Sequence, residues 1–291
     1  MFNNSNVLLK FYKPNGESFS IGSNLDWRFT KKKGLSGFGS INGTVSFTDN
    51  VNADGGDVNR IRFSKIDRTV KCTYLYWRNN PQARRQFLSF FTPRVVYRVY
   101  LTYMGVTRWA PAQLYKLQAS EDTEEENMMV FQMTFVFPSP YWNSVDDFGK
   151  NIAAVTGAGF PYLSRIGVGQ PTGVFNFNRQ VTLENDGDVD SNPKIYITAN
   201  DDVVNPIVRI GDGWIKVIDE MQDKDEIEID TTAIPPTVKK NGVNCLGKCD
   251  RRSNFLDMVI KRGDNTVSFD ADNGSNHMSV VIYYNKLYAV I

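Results

Sequence analysis

Apolar and polar side chains alternate with period two along much of the chain, as in strands with one face in a core and one in water. In "TVKCTYLYW" (69–77) Val70, Cys72, Tyr74 and Tyr76 share a face. "VVYRVYLTY" (95–103) places Val95, Tyr97, Val99, Leu101 and Tyr103 together, and "MMVFQMTFVF" (128–137) does the same with Met129, Phe131, Met133, Phe135 and Phe137. Beyond residue 180 the candidates "KIYITA", "GWIKVID", "DEIEID", "NTVSFD" and "SVVIYYN" are shorter and separated by Gly, Asn and Asp turns. Regular short strands of this kind predict a sandwich or barrel.

One segment breaks the rule. In "NNPQARRQFLSFF" Asn80 suits an N-cap and Pro81 the first helical position, where its missing N–H costs nothing. Phe87, Phe90 and Phe91 recur at three- and four-residue spacing, which predicts a helix over about 81–91 lying on an apolar sheet face. Thr92-Pro93 closes it. The fold class expected is mainly β: an N-terminal β domain with one helix and a C-terminal β-sandwich. "FPSPYWNSV" interrupts the strand pattern, and the small-residue stretch that follows lacks a period. These place the boundary near 142, giving an N-terminal domain over 1–142 and, over 143–291, a linker or arm (143–175) leading into the sandwich.

Composition narrows the function by exclusion. Lys plus Arg number 33 against 32 for Asp plus Glu, a net charge of +1 that offers no general attraction to nucleic acid or anionic membrane. No secretory signal or transmembrane run is legible, so a soluble protein without membrane insertion is expected. Cys72, Cys245 and Cys249 are too few for a disulfide framework, and the four-residue spacing of the last two lacks a partner pair for zinc. The acidic run "EDTEEEN" (121–127) suits a solvated hairpin loop.

Candidate chemistry fares no better. The single histidine, His277, lies in the polar turn "DNGSNHM", and no Gly-x-Ser-x-Gly elbow exists. The glycine-rich "GLSGFGSING", preceded by Lys31, Lys32 and Lys33, misses the dinucleotide spacing and leads into a strand; it is expected as a flexible loop or wide hairpin. "ENDGDVDSNPKIYI" (184–197) and "DNVNADGGD" (49–57) carry alternating oxygen-bearing side chains. Position twelve of each would-be calcium loop is an isoleucine, Ile197 or Ile61, so the bidentate ligand is missing. No catalytic, cofactor-binding or metal-binding residue is assigned, no cofactor is expected, and the chain is not expected to be an enzyme.

The order of segments carries more. After a β region containing "GLSGFGSINGTVSFTDNVNADGGDVNRIRF" come the helix and a hairpin pair ending in "FVFPSPYWNS". Later, "NDGDVDSNP", "DEIEIDT", "NGVN" and "KRGDNTVSF" follow one another as turns and strands over about a hundred residues. This series resembles the distal tail proteins of long, non-contractile-tailed bacteriophages. The resemblance implies a galectin-like C-terminal sandwich and a homo-hexameric ring at the distal end of the virion's tail, made in the host cytoplasm. In such a ring the N-terminal domains surround a channel through which DNA passes without specific binding. The tail tube protein lies above, a tail-associated hub protein below, and receptor-binding or baseplate proteins dock on the C-terminal domains. "CLGKCDRRSN" is not assigned to any feature of the family. The alternative is a carbohydrate-binding, lectin-like module contacting the host cell wall, with Trp214 as a stacking platform.

Overall fold

The computed structural model describes residues 7–31, 34–50, 54–75, 80–119, 129–145, 152–156 and 180–291. The chain is mainly β and divides into two compact units, one of residues 1–145 with 288–291 and the other of residues 146–287. The expected arm over 143–175 and the acidic run 121–127 lie largely outside the described residues.

In the N-terminal unit one antiparallel sheet runs in the order 18–22, 7–12, 96–103, 106–119, 130–137, 66–74 and 27–29. Alternation dictates its core: Leu9 and Phe11, Val99 and Leu101, Val70 and Cys72 are all fully buried. The central strand Val130–Phe137 is covered on both faces over much of its length, which its near-continuous apolar sequence permits. The strand Val106–Ala119 carries a proline at its middle. Pro111 falls between Trp109, paired with Asn143, and Gln113, paired with Val136, so its missing N–H lies where the neighbouring strand changes.

The helix spans Pro81–Phe90, and the Asn80 side chain accepts from the N–H groups of Gln82 and Ala83 at 3.1 Å. Phe87 stacks on Phe131 at 4.4 Å and meets Trp27 at 4.5 Å, while Phe19 packs against Phe87, Phe90 and Phe91. The helix therefore seals the apolar face of the sheet. Phe91, expected as its last residue, is instead the C-cap, with its ring still buried.

Arg68 shares the core-facing parity of Val70 and Cys72, so its strand aims a cation inward. It is fully buried. Its Nε donates to the Gly37 carbonyl at 3.2 Å and its Nη2 to the Pro140 carbonyl at 3.0 Å. The guanidinium lies 4.2 Å from the Trp142 ring centroid and 4.3 Å from that of Phe137, contacts that replace part of its hydration. Burial pushes its pKa down to about 9, which leaves it charged at neutral pH. Gly37, at φ +81°, is held where an added Cβ would stand 2.7 Å from the Asp67 carbonyl oxygen. The glycine-rich segment is thus anchored rather than a free loop over its first half. Leu35–Ser36 pairs with Val70 and Thr69, and Phe38 is buried. The last four residues return to this unit, with Tyr288 under the Arg108 guanidinium at 3.6 Å.

In the C-terminal unit two antiparallel sheets face each other. One runs 152–156, 278–283, 194–199, 226–230, 237–240, 243–244; the other runs 180–185, 263–273, 203–210, 213–216, with 220–221 also pairing with 203–210. Ile195, Ile197, Ile227, Ile229, Val280 and Ile282 of the first meet Val208, Ile210, Ile215, Val267 and Phe269 of the second in one core. Aligned sheets with alternating inward residues form a sandwich. The tip "NG" works as its sequence predicts: Asn241 and Gly242 both have positive φ between the strands Thr237–Lys240 and Val243–Asn244.

Arg68→Ala removes the donors of two interior carbonyls and opens a cavity, so it is expected to destabilise the N-terminal unit by about 3 kcal/mol or more. Denaturant unfolding followed by tryptophan fluorescence checks this; Arg68→Lys is expected to recover only part of the loss.

Candidate interaction surfaces

The chemistry-bearing residues singled out in the sequence do not converge. His277 sits in a short 3-10 turn, its Nδ1 3.6 Å from Asp201 on the surface. Cys245 and Cys249 flank another 3-10 turn, Leu246–Lys248. Burial raises both thiols, Cys249 to about 11, which disfavours the reactive thiolate. The segment 245–254 lies against the strand Gly213–Lys216: Ile218 N–H bonds the Lys248 carbonyl, Asp250 N–H that of Lys216, and Asn254 N–H that of Trp214. Lys248 meets Asp219 at 2.8 Å. This segment, unassigned in the sequence, edges the sandwich.

The alternating aspartates are dispersed. Asn185 is buried, and its side chain accepts from Gly187 N–H at 3.0 Å and donates to the carbonyls of Val189 and Ile260 at 3.2 Å. Asp186 pairs with Lys286 at 2.7 Å, and Asp190 accepts from Arg262 N–H at 3.0 Å. Among the described residues, no group of three or more His, Cys, Asp or Glu side chains gathers to hold a metal ion. The upstream cousin is a hairpin tip, with Asp49 opposite Gly56 and Asn50 N–H bonded to the Gly55 carbonyl; residues 51–53 are not described.

That hairpin is the first notable surface. Among the described residues Gly43–Asp49 pairs only with Gly56–Phe63, and every residue in both strands is exposed. Val45 lies opposite Ile61, Phe47 opposite Val58, and Phe63 opposite Gly43. One face is therefore apolar, with Phe47 61% and Val58 62% exposed. Arg60 and Arg62 fall on the other face with Thr44 and Ser46. An isolated two-stranded ribbon is marginal in water unless something covers it.

A second surface is the outer face of the N-terminal sheet. Tyr12, Tyr100 and Trp109 line a groove of about 930 Å³ with Lys10 and Arg98. Lys10 lies 4.9 Å from the Tyr12 ring, and Arg98 lies 5.5 Å from that of Trp109. The third is a recess of about 780 Å³ on the outer face of the first C-terminal sheet, around Tyr196 and Tyr283. Their rings meet edge to face at 5.5 Å. Trp214, the aromatic platform suggested by sequence, is on the other sheet and only partly exposed. The Tyr196–Tyr283 pair escaped notice because it alternates with core residues in ordinary strand sequences, and only the cross-strand register brings the two together.

These features define a two-unit β protein with an exposed apolar ribbon and aromatic side chains on two open sheet faces. Residues 186–288 match the family model SPP1_Dit, the siphovirus-type tail component, C-terminal domain. The fold of the whole chain is similar to that of the Dit protein of phage SPP1, described as a paradigm of the hub adsorption apparatus in Gram-positive-infecting phages. The TM-score is 0.65 at 11% identity, over 96% of this chain and 98% of that one. It is also similar to a chain of the phage P2 baseplate in its activated conformation with calcium (TM-score 0.50, 14% identity, 95% and 97% covered) and to one in the form with strontium (0.50, 13%, 95% and 97%). No curated protein matches the chain. The match to the C-terminal domain of a siphovirus-type tail component thus covers residues 186–288, and the chain as a whole shares the fold of the Dit protein.

Two outcomes follow. Calcium is expected to leave the melting temperature unchanged, since Asp186 and Asp190 are already engaged with separate partners; a saturable rise in differential scanning fluorimetry would contradict this. Asp225 is held down to about 2, first by the Gln222 N–H, then by Lys240 and Asn241. Its folded pKa lies below the unfolded one, so its stabilisation is full above about pH 4 and is lost as pH falls toward 2. Asp225→Asn is expected to flatten the acid limb of the C-terminal unit's stability profile.

Proposed function

We propose that this protein is a distal tail hub: a non-enzymatic structural subunit that closes into a homo-hexameric ring at the end of the tail. In this reading the N-terminal domain, residues 1–142, makes the ring around the DNA channel. The tail tube lies on one side of the ring and the tail-associated hub protein on the other. The galectin-like sandwich within 143–291 anchors receptor-binding or baseplate proteins. The virion tail is its location, and membrane insertion has no part in its role; none of the described helices is long and apolar enough to cross a membrane.

The observation that carries the reading is the unpaired amphipathic hairpin. A ribbon with Val45, Phe47, Val58, Ile61 and Phe63 on one exposed face is stable when another protein surface covers it. A head-to-tail contact between copies, repeated until the ring closes, supplies such a surface without leaving an exposed patch. The near-neutral net charge suits a channel that lets DNA slide without a specific grip.

The test is a pair of substitutions on the apolar face, Phe47→Asp with Ile61→Asp. Sedimentation velocity is expected to show a six-fold mass for the unaltered chain and a monomer for the variant. Both sites are outside the core, so the variant's melting temperature is expected to stay close to that of the isolated subunit. A variant that still forms the ring would overturn the role given to the hairpin.

A further inference from the structure

We infer that the recess around Tyr196 and Tyr283 is a saccharide-binding site, selective for neutral or amino-bearing sugars. The inference rests on the C-terminal unit alone and does not require the ring.

Strand register builds the site. Lys194 lies opposite Tyr283 on one side and Asp230 on the other; Tyr196 lies between Val281 and Glu228; Thr198 lies between Ser279 and Glu226. Because Ile195, Ile197, Ile227, Ile229, Val280 and Ile282 point into the core, this second set of side chains all project from the opposite face. Asn192 and Asn285 bring amides to the rim, and Thr232 adds a hydroxyl. The volume of about 780 Å³ lies within the ~300–1,000 Å³ usual for small-ligand sites.

The chemistry selects among occupants. Tyrosine rings present an apolar face to the C–H groups of a sugar and a hydroxyl to its polar edge. Amides, hydroxyls and carboxylates can accept and donate to several sugar hydroxyls at once. Among the described lining residues Val281 is the one aliphatic side chain, too little for the apolar centre of a protein interface. A phosphate or uronate would meet Glu226 in the lining and Glu228 beside Tyr196. The cation in the lining, Lys194, is already held by Asp230 at 2.5 Å, and Lys239, outside the lining, lies opposite Glu228, so an anion finds little uncompensated charge here. An ammonium on the sugar would instead find Glu226 unpaired with any lysine or arginine among the described ion pairs.

The experiment titrates the full chain by calorimetry with tetramers of glucose, galactose, N-acetylglucosamine and glucosamine, and with polygalacturonate as the anionic comparison. Saturable binding to at least one tetramer, with none to polygalacturonate, is expected. Tyr196→Ala and Tyr283→Ala are each expected to weaken it about tenfold, equal to about 1.4 kcal/mol, while Tyr196→Phe keeps the stacking and most of the affinity. Circular dichroism confirms that each variant folds, and Glu226→Gln, on the exposed edge, serves if an alanine variant does not. Its expected effect is loss of preference for the glucosamine tetramer. Binding to no tetramer, affinity unmoved by the alanine variants and by Glu226→Gln, or tightest binding to polygalacturonate overturns the inference. Sedimentation of the same samples reads ring formation separately, so failure of one does not imply failure of the other.

Discussion

The N-terminal unit holds a buried cation that has no acidic partner among the described residues. Arg68 bonds the carbonyls of Gly37 and Pro140 and lies against Phe137 and Trp142. A charge in such a place is expensive unless its donors are used. Here the expense has a structural return: one side chain fixes both the approach to the exposed hairpin and the corner that ends the unit. Gly37 leads through Phe38 to the ribbon at Gly43, and Pro140 leads to Trp142, where the strand Trp142–Ser144 pairs with Val106–Ala119. A projecting ribbon can bind a neighbour in a defined geometry only if its root is rigid. The buried arginine, the burial of Phe38 and the short strand Leu35–Ser36 together supply that rigidity.

Much of this was legible in the sequence. Alternation in 95–103 and 128–137 gave strands and their buried faces, because the inward residues there are unambiguous. The helix was legible for the same reason, with Asn80, Pro81 and the phenylalanine stripe all agreeing. Arg68 was not. Its parity with Val70 and Cys72 could have flagged a cation on a core face, but the carbonyls that receive it lie 31 and 72 residues away.

Surfaces were harder to see than cores. The hairpin's apolar face alternates as a buried strand does, and nothing local distinguishes Val45 and Ile61 from core residues. The tyrosine recess depends on register between strands some 85 residues apart in sequence, roughly what long-range β pairing allows and local pattern cannot reveal. By contrast the calcium-like loops failed on a local test, the missing ligand at position twelve, and the structure shows what their carboxylates and amides do instead. Asn185 serves the interior of its turn, and Asp186 and Asp190 tie it to Lys286 and the Arg262 backbone.

The C-terminal family match, the shared fold and the uncovered ribbon all support the assembly role proposed for the protein. Negative-stain imaging of the purified chain tests this most directly. Class averages showing a closed ring of six subunits with outward-projecting lobes are the predicted result; a population of single subunits at every concentration, with the hairpin accessible to protease, would contradict it.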